Sequence, residues 1–169
     1  MDFENKVMSQ EIANELYDSG LTVGTAESCT GGRIAACMTS VPGSSTCFCG
    51  GVVTYRTEEK TRVLGVPEEL IHTHGVVSEA VAEAMCTGLC RLMDCDFAIS
   101  ITGYAGPSGG TALNPVGTAY VGIGTAERVV VHRIQSRLSS RTEIQDDLAG
   151  AALRLFYNYL CEMKHIAEH

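Results

Sequence analysis

The chain has 169 residues, of which 45% are hydrophobic, and its formal net charge is -8 at pH 7. This length suits one folded domain with its own core, and the apolar share argues against intrinsic disorder. The acidic balance argues against nucleic-acid binding, which needs a basic face to replace counterions. No apolar run approaches the roughly 20 residues of a membrane-spanning helix, and the N-terminus lacks the pattern of a signal peptide. We therefore expect a cytoplasmic protein that binds neither nucleic acid nor membrane.

The first half of the chain alternates between helix and strand. Apolar side chains at helical spacing predict a helix over residues 5–18, which Ser19 and Gly20 end. We then predict a strand over 21–26, a helix over 30–40, a strand over 47–55 and short helices over 57–64 and 67–72. Pro67 suits the first turn of the second short helix.

The second half continues this alternation and contains a β-hairpin. Ser78 is a good N-cap for a long helix that ends near Met93, because Glu79 suits the positive end of its dipole. We then predict a buried strand over 97–102, strands over 116–124 and 129–135 joined by a turn at 127–128, and a helix over 141–163 capped by Ser140. We expect the polar tail over 164–169 to fray.

Interleaved helices and strands predict an α/β fold, here a three-layer α/β/α sandwich in a single domain. The hairpin makes the predicted sheet mixed, although mostly parallel. In such sheets, ligands gather at loops that leave the carboxyl ends of strands. The loops after Ala26 and after Ile101 are of this kind, so functional residues are expected in them.

The first of these loops is the most informative segment of the chain. It reads Thr-Ala-Glu-Ser-Cys-Thr-Gly-Gly over residues 25–32, between a predicted strand and a predicted helix. Backbone N–H groups from Cys29 to Gly32 could stabilise an oxyanion at the helix N-terminus, and Ser28 could act as a nucleophile. A serine at such a turn more commonly caps the helix, and it needs a neighbouring base to react.

Lys60 is a candidate for this base, because the histidines of the chain do not suggest a catalytic triad. A lysine in a partly dry site can lose its proton near neutral pH and activate a serine. Residues 56–62 are charged almost throughout, so a solvated helix face is the plain alternative. Tyr55, at the end of the preceding strand, could donate a hydrogen bond to a ligand or could be only a rim residue.

The second loop, residues 103–110, contains four glycines and follows the buried strand. Such a loop lets a ligand approach backbone amides closely. It lacks the ending of a P-loop and the spacing of the dinucleotide fingerprint, which argues against ATP and NAD. A simple turn between two elements is the alternative interpretation.

The chain contains eight cysteines, and none of them forms a Cys-x-x-Cys pair. Cys86 and Cys90 are spaced to share one helix face, but no paired histidine completes a zinc site nearby. Structural disulfides are not expected without a signal peptide. Most cysteines fall on apolar positions of predicted helices or strands, and we expect Cys86 and Cys90 to be structural core residues rather than metal ligands.

Several segments, in their order along the chain, strongly resemble the C-terminal domain of the CinA (competence/damage-inducible) family. They are Ala-Glu-Ser-Cys-Thr-Gly-Gly (26–32), Val-Pro-Gly-Ser-Ser (41–45), Gly-Val-Val-Thr-Tyr (51–55), His-Gly-Val-Val-Ser-Glu (74–79), Thr-Gly (102–103), Ala-Gly-Pro (105–107) and Pro-Val-Gly-Thr (115–118). The resemblance covers about residues 5–160. Free-standing members of this family are nicotinamide-nucleotide amidohydrolases, also called NMN deamidases. Larger members carry an extra N-terminal domain, for which we expect no room in this chain.

The resemblance implies a Ser-Lys dyad in which Ser28 is the nucleophile and Lys60 the base, with Tyr55 nearby. It implies that Arg141 is a phosphate ligand. The residues expected to bind substrate are Cys29, Thr30, Gly31, Gly32, Thr102, Gly103, Gly106, Gly109, Gly110 and Arg141. The implied reaction is hydrolysis of the carboxamide of nicotinamide mononucleotide through an acyl-enzyme, with no metal or organic cofactor. Family members commonly self-associate, so we expect a homo-oligomer.

The chain departs from the usual family pattern at three positions. Ser108 stands where an acid is usual, Asn114 where lysine is frequent, and Gln145 where a second arginine is common. These changes bear on phosphate affinity and substrate choice more than on the hydrolytic chemistry. One alternative is therefore a family member that binds a nucleotide or a partner protein with little hydrolysis. Another is a thiol-dependent or metal-binding protein that uses Cys29 or the Cys86/Cys90 pair.

Overall fold

The computed structural model describes residues 2–169, in which six helices surround one five-stranded sheet. The helices are α1 (Phe3–Ser19), α2 (Arg33–Thr39), α3 (Thr57–Leu64), α4 (Glu68–His74), α5 (Glu79–Met93) and α6 (Arg141–Ala167). The strands are β1 (Val23–Glu27), β2 (Phe48–Val53), β3 (Phe97–Gly103), β4 (Thr118–Gly124) and β5 (Val129–Gln135). A single 3₁₀ turn spans Ser44–Thr46. None of the helices in this part of the chain is long and apolar enough to cross a bilayer.

The sheet has the strand order β2-β1-β3-β4-β5. Strand β1 pairs in parallel with β2 and β3, whereas β4 is antiparallel to both β3 and β5. The prediction of a mixed sheet in a three-layer sandwich is confirmed. The qualification "mostly parallel" is right for strand direction, because only β4 runs against the others, but half of the pairings are antiparallel. The glycine-rich loop after β3 reverses the chain and causes this difference.

The two faces of the sheet pack against different helices, and β3 shows how the sequence divides them. Its large side chains Phe97, Ile99 and Ile101 pack in the cluster that includes α1, α2 and α6, whereas Ala98 packs in the cluster of α3 and α5. Small residues on the second face let α5 lie close to the sheet. At Gly122, a Cβ atom would come within 2.8 Å of the Ala82 carbonyl oxygen.

Both predicted caps of long helices are confirmed. The Ser78 side chain accepts from the N–H of Val81 at the start of α5, and the Ser140 side chain accepts from the N–H of Glu143 at the start of α6. The predicted fraying after residue 163 is wrong, because α6 continues to Ala167. Lys164 at this end donates to the carboxyl group of Glu15 in α1, at 3.2 Å, which ties the last turns of α6 to the domain.

Candidate active site

The carboxyl ends of β1, β2 and β3 lie side by side at one edge of the sheet, and a cavity of about 290 Å³ opens there. Ser28 directly follows β1, Tyr55 follows β2 and Gly103 ends β3. The cavity is lined by Ser28, Cys29, Tyr55, Thr57, Lys60, Val76, Val77, Thr102, Gly103, Tyr104, Ala105, Gly106, Ser108 and Arg141. The two loops that the sequence singled out therefore meet at one site.

Ser28 and Lys60 are in direct contact in this cavity. Lys60 Nζ lies 2.9 Å from Ser28 Oγ and 2.6 Å from the carbonyl oxygen of Thr54, to which it donates. The lysine is 1% exposed, and none of the ion pairs in residues 2–169 includes it. Burial disfavours its charged form and lowers the pKa of Lys60 from 10.5 to about 8. About a tenth of Lys60 is therefore a neutral amine at pH 7, far more than for an ordinary lysine, and this form can accept a proton.

The side chain of Glu27, the residue before Ser28, fixes the turn between β1 and α2. Its side chain is 0% exposed and accepts from the hydroxyl of Thr30 at 2.7 Å and from the N–H groups of Ile34 and Ala35 at 2.9 and 3.0 Å. This carboxyl group therefore occupies the first turn of α2. An acidic side chain is favourable there because it complements the helix dipole and supplies acceptors for unpaired N–H groups.

The free backbone donors at the site are fewer than the sequence predicted. Within the predicted set Cys29 to Gly32, the N–H of Gly31 is already bonded to the Ser28 carbonyl at 3.1 Å. The helix itself begins only at Arg33, because Gly31 and Gly32 adopt left-handed φ angles of 61° and 94°. Across residues 2–169, the N–H groups of Cys29, Thr30 and Gly32 have no protein acceptor. Cys29 and Thr30 directly follow Ser28, so their N–H groups are the candidate donors for an oxyanion formed there.

Residues in the first turns of α6 help to hold the backbone carbonyls of the segment that follows Ser28. Gln145 Nε2 donates to the Cys29 carbonyl at 2.9 Å. Arg33 donates from its guanidinium to the Thr30 carbonyl at 3.0 Å and forms a 2.7 Å ion pair with Asp146. The serine turn is thus attached to α6 as well as to α2.

Arg141, the first residue of α6, links the other two loops at the cavity mouth. Its guanidinium donates to the hydroxyl of Tyr55 at 2.6 Å and to the carbonyl of Gly106. Tyr55 is 56% exposed and is therefore accessible to a ligand. The predicted phosphate ligand and the predicted catalytic tyrosine are neighbours here, beside the Ser28–Lys60 pair.

Five predicted substrate-binding residues are not among those that line the cavity: Thr30, Gly31, Gly32, Gly109 and Gly110. The Thr30 hydroxyl is bonded to Glu27, so it faces the interior. At Gly110 a Cβ atom would come within 2.8 Å of the Val116 N atom, and at Gly109 within 3.3 Å of the Tyr104 ring. Both glycines also have positive φ angles. Close packing of the loop and positive φ therefore account for both glycines, and their role in binding substrate stays a prediction.

The remaining residues of the second loop have mixed roles. Thr102 lines the cavity, but its hydroxyl donates to the Val76 carbonyl at 2.8 Å. Ser108 lines the cavity in place of an acid. Asn114 ties the loop to the protein, because it donates to the Val77 carbonyl at 3.4 Å and accepts from the Tyr120 hydroxyl at 2.9 Å.

The comparison with known proteins gives the family of this chain. Residues 5–160 match the CinA C-terminal domain. The chain belongs to the CinA family. It is 42% identical over 160 residues to a CinA-like protein of Desulfotalea psychrophila, covering 95% of this chain and 38% of that protein. It is 43% identical over 161 residues to a CinA-like protein of Geobacter sp. (strain M21), covering 95% and 39%. The chain thus spans about two-fifths of the length of these curated relatives.

Solved structures of CinA relatives have the same fold. The crystal structure of the competence/damage inducible protein CihA from Agrobacterium tumefaciens has a TM-score of 0.88 at 35% identity, covering 92% of this chain and 94% of that one. A CinA superfamily protein from Klebsiella pneumoniae has a TM-score of 0.89 at 31% identity, covering 94% and 98%. These structures are similar to almost all of this chain.

Several contributors to the site of this CinA domain were missed by the sequence analysis. Thr57, Tyr104 and Ala105 line the cavity, and the Thr54 carbonyl holds the lysine. Glu27 was quoted only as part of a motif, without a role. Its position just before a serine turn and a helix start was the available signal, since acidic side chains favour helix N-termini.

The cysteines named in the alternative interpretations, Cys29, Cys86 and Cys90, are all buried, whereas Cys49 is exposed. Burial raises the pKa of the Cys29 thiol to about 12, so the thiol is protonated at neutral pH. The thiols of Cys86 and Cys90 point at the carbonyls of Ala98 and Gly124. No group of three or more potential metal ligands occurs within residues 2–169. The thiol-dependent and metal-binding alternatives thus gain no support from the geometry.

Proposed function

We propose that this CinA domain hydrolyses the carboxamide of nicotinamide mononucleotide to nicotinate mononucleotide and ammonia. The observation that carries the proposal is the 2.9 Å contact between Ser28 Oγ and the buried amine of Lys60. A serine is a weak nucleophile without an adjacent base, and a lysine serves as that base only when its pKa is lowered. Family membership supplies the substrate class, because the resemblance noted in the sequence points to nicotinamide nucleotides.

Acylation is the first step of the proposed reaction. Neutral Lys60 takes the proton of Ser28 Oγ while this oxygen attacks the carboxamide carbon. The carbonyl oxygen becomes an oxyanion, which the N–H groups of Cys29 and Thr30 receive; one such donor is typically worth about 3 kcal/mol. The protonated Lys60 then gives its proton to the amide nitrogen, the C–N bond breaks, and ammonia leaves. An ester on Ser28 remains.

Deacylation repeats this chemistry with water as the nucleophile. Lys60, neutral again, takes a proton from water as the water oxygen attacks the ester carbon. The C–O bond to Ser28 breaks, Ser28 Oγ recovers a proton from Lys60, and the new carboxylic acid gives its proton to solvent and leaves as the carboxylate. Neither step calls for a metal or an organic cofactor.

Substrate recognition is assigned to the cationic mouth of the cavity. Arg141 contacts Tyr55 and Gly106 and lines the same cavity as Ser28, so we assign it to the phosphate of a ligand whose amide lies at Ser28. An arginine guanidinium can bind phosphate oxygens through two hydrogen bonds. A cytoplasmic location, self-association and a role in pyridine-nucleotide recycling within NAD metabolism belong to the same proposal.

The direct test is release of ammonia and nicotinate mononucleotide from nicotinamide mononucleotide by purified protein. Ser28→Ala and Lys60→Ala should abolish turnover while circular dichroism and thermal melting show intact folds. Ser136→Ala is a matched control, because Ser136 is a buried serine remote from the cavity lining. Silence of folded wild-type protein, confirmed by product chromatography, would remove this substrate from the proposal.

One observation favours a second candidate, a nucleotide-binding domain with little hydrolysis. The guanidinium of Arg141 already donates to two protein groups. Gln145, which stands where a second arginine is common, donates to the Cys29 carbonyl and carries no charge. Thermal stabilisation by nicotinamide mononucleotide without product formation would favour this candidate over the hydrolase.

A further inference from the structure

One side chain of α6 holds the peptide that follows the nucleophile. Gln145 lies one helical turn after Arg141, on the same face of the helix. It is 8% exposed, and its Nε2 donates to the Cys29 carbonyl oxygen at 2.9 Å. Gln145 is not one of the residues that line the cavity, although Cys29 is. Its influence on a bound ligand must therefore pass through the Cys29–Thr30 peptide.

This bond determines the orientation of a free N–H group. The peptide unit between Cys29 and Thr30 is planar, so its carbonyl and its N–H point in opposite directions in the trans form. When Gln145 fixes the carbonyl, it also fixes the direction of the Thr30 N–H. The carbonyls on either side are held too, by the Gly31 N–H at 3.1 Å and by the Arg33 N–H at 3.3 Å. All three carbonyls of the turn are thus bonded.

We propose that Gln145 is a positioning residue that aligns the Ser28 turn for acyl transfer, by holding the Cys29 carbonyl so that the N–H groups of Cys29 and Thr30 can receive an oxyanion. This inference rests on the proposed nucleophilic role of Ser28, but it does not depend on which amide is the substrate. It assigns to the glutamine a role in the transition state rather than in phosphate binding.

Kinetics separate these roles. An interaction that acts only in the transition state lowers kcat and leaves KM nearly unchanged, whereas lost ground-state binding raises KM. A glutamine that served only the packing of α6 would change the melting temperature without changing the reactivity of Ser28. The test therefore needs a direct readout of that reactivity besides turnover of the nucleotide.

The variant is Gln145→Met, which preserves side-chain length and removes the donor. Its matched control is Gln10→Met, because Gln10 is an exposed residue of α1 that bonds only to Asn14. We would measure kcat and KM with nicotinamide mononucleotide, and the rate at which a fluorophosphonate labels Ser28, followed by intact mass with Ser28→Ala as the blank. We expect kcat and the labelling rate to fall roughly tenfold to a hundredfold, as for a misaligned oxyanion donor, with KM within about twofold.

Unchanged kcat and labelling, or a raised KM with unchanged kcat, would overturn the proposal. If wild-type protein is labelled at Ser28 but does not hydrolyse the nucleotide, the proposed substrate fails and the labelling rates alone decide the role of Gln145. If wild-type protein is neither labelled nor active, both the nucleophilic role of Ser28 and the positioning role of Gln145 are wrong. If Gln145→Met does not fold, Gln145→Leu, which also lacks the donor, takes its place with the same expected losses.

Discussion

Lys60 donates to the carbonyl oxygen of Thr54 at 2.6 Å, and this bond orients the amine towards Ser28. A neutral amine has two N–H donors and one lone pair, whereas the charged form has three donors and no acceptor. With one N–H engaged by Thr54, the lone pair of the neutral form can face Ser28 Oγ at 2.9 Å and accept its proton. The protonation state of Lys60 thus decides whether the contact with Ser28 is productive.

The first prediction is the pH dependence of activity. Because burial lowers the pKa of Lys60 to about 8, the neutral base is scarce below this pH and predominant above it. We expect kcat/KM to rise with pH through about 8 and then to level off. Ammonia release between about pH 6 and pH 10 measures this profile. A half-maximal pH near the ordinary lysine value would contradict the assigned base.

The second prediction concerns the stability of Lys60→Met. Below pH 8 the lysine is charged in both the folded and the unfolded protein, so folding includes the full cost of burying the charge. Above pH 10.5 the lysine is neutral in both states, and this cost vanishes. A lowering from 10.5 to about 8 corresponds to a cost of about 3 kcal/mol. The variant leaves the Thr54 carbonyl without its donor, which costs about 1–3 kcal/mol, so we expect a net gain of up to about 2 kcal/mol at pH 7 together with loss of turnover.

Urea unfolding of wild type and Lys60→Met across this pH range tests the second prediction. The stability difference should shrink as the pH rises from 8 towards 10.5. Lys6→Met, at an exposed lysine of α1, is the control and should show no such trend. A variant that is less stable than wild type at pH 7 would show that the hydrogen bonds of Lys60 outweigh its desolvation.

The third prediction is the effect of Glu27→Gln. The glutamine keeps the shape of Glu27 but presents an NH₂ group to donors that need acceptors, namely the N–H groups of Ile34 and Ala35 and the Thr30 hydroxyl. We expect a loss of about 2–3 kcal/mol in unfolding free energy, the usual range for hydrogen bonds to a charged group, and a lower kcat. Thermal melting and the amide assay measure both. Glu58→Gln, at an exposed glutamate of α3, should change neither.

The fourth prediction separates phosphate recognition from chemistry. Arg141→Met should raise KM for nicotinamide mononucleotide roughly tenfold to a hundredfold, because a charge-assisted, two-bond contact with phosphate is lost. It should change little for nicotinamide riboside, which has no phosphate. Arg137→Met, at an exposed arginine of the preceding loop, is the control. Equal losses for both substrates would mean that Arg141 instead serves to hold Tyr55.

The fifth prediction concerns the neighbouring thiol. With its pKa raised to about 12 by burial, Cys29 is protonated at neutral pH and is a poor nucleophile. Cys29→Ala should therefore retain kcat within a fewfold, with a modest loss of stability from the smaller buried side chain, of about 1 kcal/mol. Activity that disappears in this variant and survives in Ser28→Ala would transfer the nucleophile to the thiol.

Local signals in the sequence were sufficient for the elements of the fold but not for the interior of the site. The caps at Ser78 and Ser140 depend on neighbouring residues, so they could be predicted from the sequence. The Ser28–Lys60 pair spans 32 residues; the residues alone gave Lys60 as a candidate base beside a solvated helix face, and the family resemblance decided between the two. The roles of Gly109 and Gly110 could not be fixed from the sequence, because a close ligand and a close protein neighbour both select glycine. The role of Glu27 was missed because the sequence does not show which face of the sheet its side chain occupies.

The attachment of the serine turn to α6 has a consequence for the biosynthesis of the protein. Ser28 and Lys60 leave the ribosome early, whereas Arg141 and Gln145 belong to the final helix of the described chain. A nascent chain thus carries both reactive side chains well before Gln145 is available to donate to the Cys29 carbonyl. Because domains generally fold as units, we expect catalytic competence to arise only when α6 docks. Incomplete translation products would then leave the cellular nucleotide pool untouched.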